Sequence, residues 1–284
     1  MKHETGFALS RRALAANVLV AGVALAGGPV SADAIVTDSN GLDVGEVSIP
    51  VSDGVIPGYR ARPKGIANAP AIVVVQEVFG VHEHIRDICR RFAKLGYYAV
   101  APSLYARQGD PGKYDLGSVG KLVSEIVSKV PDRQVMGDLD ATAKFAKGDG
   151  ADLSRLGITG FCWGGRIVWL YCAHSSAVRA GVAWYGPLKG ETNALRPRHP
   201  IDIAAQLKAP VLGQYGGLDK GITAEDIDAM RAALKAAAKT DCRIDVFADA
   251  AHGFFADYRP SYNARDAQIG WAHCLDWMRA HGVG

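Results

Sequence analysis

The chain has 284 residues, of which 49% are hydrophobic and 21% charged, and 32 basic side chains against 29 acidic ones give a net charge of +3. This length and composition fit one soluble globular domain with a large single core. The basic residues are scattered and nearly balanced by acidic ones, so the strong positive field that a nucleic-acid-binding protein requires is absent, and no nucleic-acid partner is expected.

The first 34 residues have the layout of a secretion signal. A pair of arginines at positions 11 and 12 precedes an apolar run over 13–28, and small residues at 30–34 close it. The run is shorter than the ~20 residues that span a bilayer, so no stable membrane anchor is expected. Paired arginines resemble a twin-arginine (Tat) signal, which predicts export of the folded chain to the periplasm. A Sec signal and an N-terminal core helix are the alternatives; cleavage after Ala32 or Ala34 would leave 35–284 as a single domain.

The rest of the chain alternates strand and helix patterns. Residues 44–63 alternate apolar and polar side chains around Asp53-Gly54, which predicts an antiparallel hairpin at a sheet edge. The β-branched run 71–75 is typical of a strand buried on both faces of a parallel sheet. An apolar stripe over 85–95 predicts a helix, which Gly96 ends.

The patterns further along the chain predict strands at 97–102, 156–159, 178–184, 210–215 and 243–247, and helices at 118–129, 133–147, 163–173, 224–239 and 263–280. Such alternation indicates an α/β domain with a mostly parallel sheet and helices on both faces. Ligands of these sheets bind at the carboxyl ends of the strands, so chemistry is expected in the loops that follow them.

The cysteines argue against two classes of protein. Their number is odd in a chain of this size, which excludes a disulfide scaffold, and no C-x-x-C or Cys/His cluster has zinc or thiol-redox spacing. We therefore expect no metal. Cys89, Cys172 and Cys274 lie on predicted helices and are interpreted as small buried hydrophobic residues.

Cys162 lies in a strand-turn-helix motif. The sequence Gly160-Phe-Cys-Trp-Gly164 directly follows one predicted strand and directly precedes a helix, and it is the cysteine form of the G-x-S-x-G nucleophile elbow. The tight turn needs neighbours without Cβ atoms, and a helix N-terminus favours a thiolate. The Trp163 N–H would point to where an oxyanion forms. A glycine-rich turn used only for packing is the alternative, and a phosphate loop is disfavoured because neither of its glycine signatures is present.

Two later strand ends supply an acid and a base. Asp219 and His252 follow the last two predicted strands, so Cys, Asp and His occur in the order that a hydrolase elbow requires. His252 would take the thiol proton, and Asp219 would orient and stabilise the imidazolium. Asp219 in a simple turn or helix cap is the alternative. Three other carboxylates compete as the acid: Asp226, Asp241 and Asp249.

With these residues, the chain resembles the dienelactone hydrolase (carboxymethylenebutenolidase) family from about residue 44 to the C-terminus. Four motifs carry the resemblance: Gln76-Glu-Val-Phe-Gly80, Leu104-Tyr-Ala-Arg-Gln108, Gly160-Phe-Cys-Trp-Gly-Gly165 and Ala251-His-Gly-Phe254. The resemblance implies an α/β-hydrolase fold. It also implies cofactor-independent hydrolysis of a small ester or lactone through a Cys162–His252–Asp219 triad and an acyl-enzyme.

The resemblance also implies roles for residues outside the triad. Glu77 would lie beside the nucleophile and control ionisation of its thiol, which a nearby carboxylate can do. The Val78 N–H would complete the oxyanion hole with Trp163. Four side chains would contact the substrate: Arg107, as the anchor of a carboxylate, together with Tyr105, Tyr185 and Phe254.

One departure from the family concerns a second anion contact. Dienelactone hydrolases proper carry Ser-Phe-Ala-Arg shortly after the histidine, with a second carboxylate-binding arginine. Here the sequence is Gly253-Phe-Phe-Ala256, and Arg259 lies three residues further on. The motif therefore assigns no residue to that contact and predicts a more apolar pocket. A carboxylesterase or thioesterase without carboxylate selectivity and a catalytically inactive binding protein are the alternatives. The expected partners are a small ester or lactone and the export machinery, and the expected state is a monomer.

Overall fold

A single eight-stranded sheet forms the centre of the molecule. The computed structural model describes residues 34–284, so the expected signal peptide lies outside the described residues except for its last position. In sheet order the strands are β1 (Leu42–Val51), β2 (Gly54–Pro63), β4 (Tyr98–Pro102), β3 (Ala69–Val75), β5 (Ala151–Phe161), β6 (Val178–Trp184), β7 (Val211–Gly216) and β8 (Arg243–Phe247). The pairs β1–β2 and β2–β4 are antiparallel and the others are parallel. The α/β fold with a mostly parallel sheet is thus confirmed.

The burial of the strands follows their hydrophobic pattern. The first two strands form the predicted edge hairpin, which turns between Val51 and Gly54. Every residue of β4 and of β7 is buried, so both faces of the sheet are covered at these strands. A strand covered on both faces must be apolar at consecutive positions, which is why 71–75 does not alternate.

Six α-helices occur in the described residues: α1 (Glu83–Lys94), α2 (Val119–Glu125), α3 (Asp132–Gly148), α4 (Trp163–His174), α5 (Ala224–Ala236) and α6 (Ala264–Ala280). The pattern at 118–129 predicted one helix, but α2 stops because Ile126 leaves helical geometry at φ −122° and ψ −65°, and a single 3-10 turn follows it. The strand predicted at 156–159 is longer at both ends, since residues 151–152 pair with Ala69 and Pro70 before a register shift.

The topology brings four loops to one edge of the sheet. Strands β3, β5, β7 and β8 run parallel, so their carboxyl ends share that edge. Glu77, Cys162, Asp219 and His252 lie on the segments that leave these strands. Among residues 34–284, no helix is long and apolar enough to cross a membrane, and no cluster of three potential metal ligands occurs.

Candidate active site

Cys162 sits in a strained turn between β5 and α4. Its φ of +55° and ψ of −117° lie in a region that side-chain-bearing residues rarely adopt, so the surrounding structure must hold it there. The Cys162 amide donates to the Trp184 carbonyl at 3.0 Å, and the Cys162 carbonyl accepts from the Gly165 amide at 2.9 Å. A Cβ atom at Gly160 would lie 2.5 Å from the Gly164 carbonyl oxygen, so only glycine permits this turn.

The structure brings Cys162, His252 and Asp219 together in one hydrogen-bonded row. His252 Nε2 lies 3.3 Å from Cys162 Sγ, and His252 Nδ1 lies 2.7 Å from Asp219 Oδ2. Asp219 Oδ1 accepts from the amides of Gly221 at 2.8 Å and Ile222 at 3.2 Å, which fixes the carboxylate. A base within reach of a nucleophile and oriented by a carboxylate is the geometry of nucleophilic catalysis.

The surroundings of His252 favour its charged form. Burial disfavours an imidazolium, but the Asp219 carboxylate and the Cys162 sulfur outweigh burial and raise the pKa of His252 to about 10. A proton that leaves the thiol is therefore well held by the imidazole. Asp226, one of the competing carboxylates, instead caps α5 and forms an ion pair with Lys189 at 2.5 Å.

The amides of Val78 and Trp163 are unoccupied in this arrangement. Within residues 34–284, neither donates a hydrogen bond to a backbone or side-chain acceptor, in contrast to the neighbouring Gly80 amide, which donates to the Glu77 carbonyl at 3.1 Å. The N-terminus of α4 packs directly on the end of β3. The approach is so close that a Cβ at Gly164 would lie 2.7 Å from the Val75 carbonyl oxygen. This close approach brings the loop after β3 to the first turn of α4, as an oxyanion hole made from both requires.

Glu77 lies at the centre of a second buried network. Its Oε2 accepts from Arg259 Nη2 at 2.9 Å, from the Tyr258 hydroxyl, and faces His82 Nε2 at 3.3 Å. The side chains of Glu77 and Arg259 are both 0% exposed. Burial by itself would raise the pKa of Glu77, but Arg259 and His82 hold it well below the usual range, so the carboxylate is charged.

Arg259 is a buried residue of this network to which the sequence assigned no role. Successive turns after His252 bring it back to the site: the Arg259 amide donates to Ala256, and Gly253 adopts φ +75° beside the arginine side chain. Burial lowers the pKa of Arg259, but Glu77, Tyr258 and the nearby Cys162 sulfur together raise it above its usual value. Its Nη1 atom is buried and has no hydrogen-bond partner among the described residues.

Arg107, which the resemblance implies as the anchor of a substrate carboxylate, is paired with two carboxylates of the protein itself. Its guanidinium pairs with Asp53 at 2.5 and 2.7 Å and with Asp138 at 2.8 and 3.0 Å. These two carboxylates already offset its charge, and no contact joins it to Glu77 or to the Cys162–His252–Asp219 row. The arginine of the Leu104–Gln108 motif therefore ties the β1–β2 hairpin turn to α3.

The aromatic side chains predicted to line the pocket lie around the cysteine. The Tyr105 ring is 4.9 Å from Trp163 and the Tyr185 ring 5.2 Å from His252, measured between centroids. Phe254 lies behind Tyr185 at 5.5 Å. The Tyr185 hydroxyl is buried and has no hydrogen-bond partner in the described part of the chain, so a bound molecule could supply one.

The site is closed over its sulfur. Cys162 is 0% exposed, and two cavities of about 310 and 280 Å³ in the described part are lined by residues outside the Cys162–His252–Asp219 row. Entry of a substrate therefore requires side chains over Cys162 to move. The five cysteines are all unpaired; Cys89, Cys172 and Cys274 are fully buried, and burial holds the pKa of each thiol above its usual value.

Comparison with known proteins identifies the family of this chain. Residues 56–282 match the model of the dienelactone hydrolase family. A protein of Methylorubrum extorquens, provisionally named carboxymethylenebutenolidase, is 61% identical over 277 residues, which cover 97% of this chain and 94% of that protein. A similarly named protein of Escherichia coli K12 is 49% identical over 262 residues, covering 92% and 96%.

Solved structures agree with the sequence matches. A crystal structure from Klebsiella pneumoniae, provisionally named dienelactone hydrolase, shares 52% identity with a TM-score of 0.81, and the match covers 84% of this chain and 98% of that one. The match covers most of this chain and nearly all of the Klebsiella protein. The resemblance inferred from the four motifs is therefore confirmed. The chain belongs to the dienelactone hydrolase family of α/β-hydrolases and is a hydrolase.

Proposed function

We propose that the protein hydrolyses a small ester or lactone without a cofactor, with Cys162 as its nucleophile. The observation that carries this proposal is the row Cys162–His252–Asp219 at three strand ends, in which the imidazole lies within hydrogen-bond reach of both the sulfur and the carboxylate. The unoccupied Val78 and Trp163 amides support it, because acyl transfer needs donors for an oxyanion.

In the proposed reaction, His252 takes the proton of the Cys162 thiol, and the sulfur attacks the acyl carbon. The carbonyl oxygen becomes an oxyanion that the Val78 and Trp163 amides bind. When the intermediate collapses, the C–O bond breaks, and His252 returns the proton to the leaving oxygen. Water then attacks the thioester, His252 accepts a proton from it, and the thiolate leaves as the acid is released. In a lactone, the leaving oxygen and the acid belong to one product.

The Glu77–Arg259 pair favours a substrate that bears a carboxylate. Arg259 carries a buried guanidinium near the Cys162–His252–Asp219 row, and no described residue accepts a hydrogen bond from its Nη1. A substrate carboxylate can bind there in a fixed, paired geometry. It would compete with Glu77 for Arg259. Arg259 thus takes the anchoring role that the sequence assigned to Arg107.

The test is hydrolysis of p-nitrophenyl acetate by the mature protein, with intact-mass detection of an acyl-enzyme. We expect turnover and an acetyl adduct in the wild type and neither in Cys162→Ala. The matched control is Cys242→Ala, which removes the half-buried thiol and should leave both signals intact. Equal activity of Cys162→Ala and wild type would refute Cys162 as the nucleophile.

A carboxylesterase or thioesterase without anion selectivity is the second candidate. One observation favours it: Glu77 neutralises Arg259 within the site, and Asp53 and Asp138 neutralise Arg107. Comparing p-nitrophenyl acetate with mono-p-nitrophenyl succinate separates the two candidates, since only an anion-selective site gives a lower KM for the succinate.

We also propose that the protein is exported to the periplasm by the Tat route and acts there as a monomer. The arginine pair at 11 and 12 and the free, buried thiols support this, because a chain that folds before export shelters its cysteines from an oxidising compartment. Replacing both arginines by lysine should retain the protein in the cytoplasm, as cell fractionation would measure. Sedimentation velocity tests the monomer.

A further inference from the structure

His82 differs in kind from the other groups that contact Glu77. Glu77 Oε2 faces three donors, namely Arg259, Tyr258 and His82. An arginine keeps its charge and a buried tyrosine keeps its proton at neutral pH, whereas a histidine changes charge between about pH 5 and 8. Burial raises the pKa of Tyr258 further, so its hydroxyl stays neutral. Among the three groups that contact Glu77 Oε2, only His82 can therefore change its charge near neutral pH.

His82 also connects the cluster to solvent. Its side chain is 25% exposed, while those of Glu77 and Arg259 are 0% exposed. The His82 backbone caps the N-terminus of α1, and its ring lies edge-on to Phe79 and Tyr258 at 6.2 and 5.0 Å. Protons can thus reach the imidazole without entry of solvent to Cys162.

The charged groups around His82 come from three segments of the chain. Glu77 faces it from the loop after β3 at 3.3 Å, and Arg259 and Tyr258 from the loop after β8. From α1, His84 stacks on it at 6.1 Å between centroids and is itself held by Asp257. Arg259 and His84 disfavour a positive charge on His82, and the Glu77 carboxylate favours one.

We propose that His82 determines the preference of this enzyme for anionic substrates and makes that preference pH-dependent. With His82 neutral, Glu77 and Arg259 sum to zero charge; with His82 protonated, the cluster carries +1 and attracts a substrate carboxylate. This inference rests on the proposed ester or lactone hydrolase function. By linkage, bound anion and bound proton stabilise each other.

The direction of the effect follows from the charge count. Burial, which outweighs the attraction of Glu77, lowers the pKa of His82, so its protonation lies on the acidic side of neutrality. The ratio of kcat/KM for an anionic over a neutral ester should then rise as the pH falls. One added charge near a bound carboxylate, partly screened by solvent, corresponds to a change in that ratio of about tenfold.

The experiment measures kcat/KM for mono-p-nitrophenyl succinate and for p-nitrophenyl acetate from pH 5.5 to 8. Ionisation of Cys162 or His252 affects both esters alike and cancels in the ratio. We expect a ratio that rises as the pH falls in the wild type, by about tenfold between neutral and fully protonated His82. It should be low and flat in His82→Gln, and high and flat in His82→Lys, which keeps a charge at every pH tested. The control is His174→Gln, an exposed histidine paired with Asp140, which should follow the wild type.

The outcomes separate the two proposals. If the wild type hydrolyses neither ester, or Cys162→Ala hydrolyses them equally well, the proposed function fails. If both esters are hydrolysed through Cys162 but the wild-type ratio is independent of pH, or His82→Gln keeps the wild-type slope, the role of His82 is refuted. The ratio is taken within one protein preparation, so partial loss of folded enzyme does not alter it. If one of the two His82 variants does not fold, the pH dependence of the kcat/KM ratio in the other variant tests the role of His82.

Discussion

Replacing Gly164 by alanine should disturb stability and catalysis together. A Cβ at this position would lie 2.7 Å from the Val75 carbonyl oxygen and closer still to that of Gln76. Ordinary carbon–oxygen contacts are about 3.3 Å or longer, so α4 and the end of β3 must separate by roughly 0.6 to 0.9 Å. Both contacts are to backbone, which cannot turn aside as a flexible side chain would. Overpacking of this kind costs about 1–3 kcal/mol of unfolding free energy.

The same displacement acts on the proposed oxyanion hole. The Val78 amide belongs to the β3 side of the contact and the Trp163 amide to the α4 side. Separating them misplaces one donor relative to the other, and misplacements near 1 Å can cost about 10²-fold in rate. We expect Gly164→Ala to lower the melting temperature by about 3–8 °C and kcat by about ten- to a hundredfold.

Calorimetry and p-nitrophenyl acetate kinetics measure the two effects, and Gly137→Ala provides the control. Gly137 lies within α3, and a Cβ there meets no atom within 4 Å. That substitution should stabilise the protein by up to about 1 kcal/mol through helix propensity and leave kcat unchanged. The reasoning fails if Gly164→Ala melts and reacts like the wild type, or if Gly137→Ala is destabilised equally.

Three further predictions concern charged groups. Asp219→Asn should lower the pKa of His252 from about 10 and reduce kcat by about 10³–10⁴-fold, and unchanged kinetics would exclude Asp219 as the acid. Arg107→Ala should lower the melting temperature, because a buried carboxylate loses its partner, yet leave the succinate-to-acetate ratio unaltered; a ratio that falls would restore Arg107 to the pocket. Glu77→Gln should cost about 3–5 kcal/mol in denaturant unfolding, and adding Arg259→Met should recover most of it. Since the folded-state pKa of Glu77 is depressed, its pair stabilises the protein above the unfolded pKa of about 4.3, and that stability is lost as the pH falls through the folded pKa.

Most of the fold could be predicted because local patterns determine it. β8 lies where alternation placed it, and the edge hairpin turns at the expected Asp53-Gly54. The predicted bounds are wrong where a partner strand or a break in the backbone determines where an element begins or ends. The start of β5 is polar, and it joins the sheet because β3 offers it hydrogen bonds beyond a bulge. The break at Ile126 falls inside a run whose hydrophobic pattern is continuous.

The row of Cys162, Asp219 and His252 could be predicted for a related reason. Each residue follows a strand of one parallel sheet, so chain order and strand ends are sufficient to place all three at a single edge. The distances of 2.7 and 3.3 Å that join them depend on the loops but not on any partner remote from that edge. Whether the three act in catalysis is decided by the Cys162→Ala and Asp219→Asn experiments.

The partners of the two arginines could not be predicted from the sequence, because the charge of a site depends on long-range pairs. Arg107 lies in a recognised motif, but the carboxylates that bind it come from positions 54 and 31 residues away. No local pattern indicates that Asp53 and Asp138 converge on it. Arg259 lies outside its expected motif, and it enters the site through consecutive turns after Gly253 to meet a carboxylate 182 residues earlier in the chain. Both arginines are paired with carboxylates, and which carboxylates pair with each can be read only after the chain has folded.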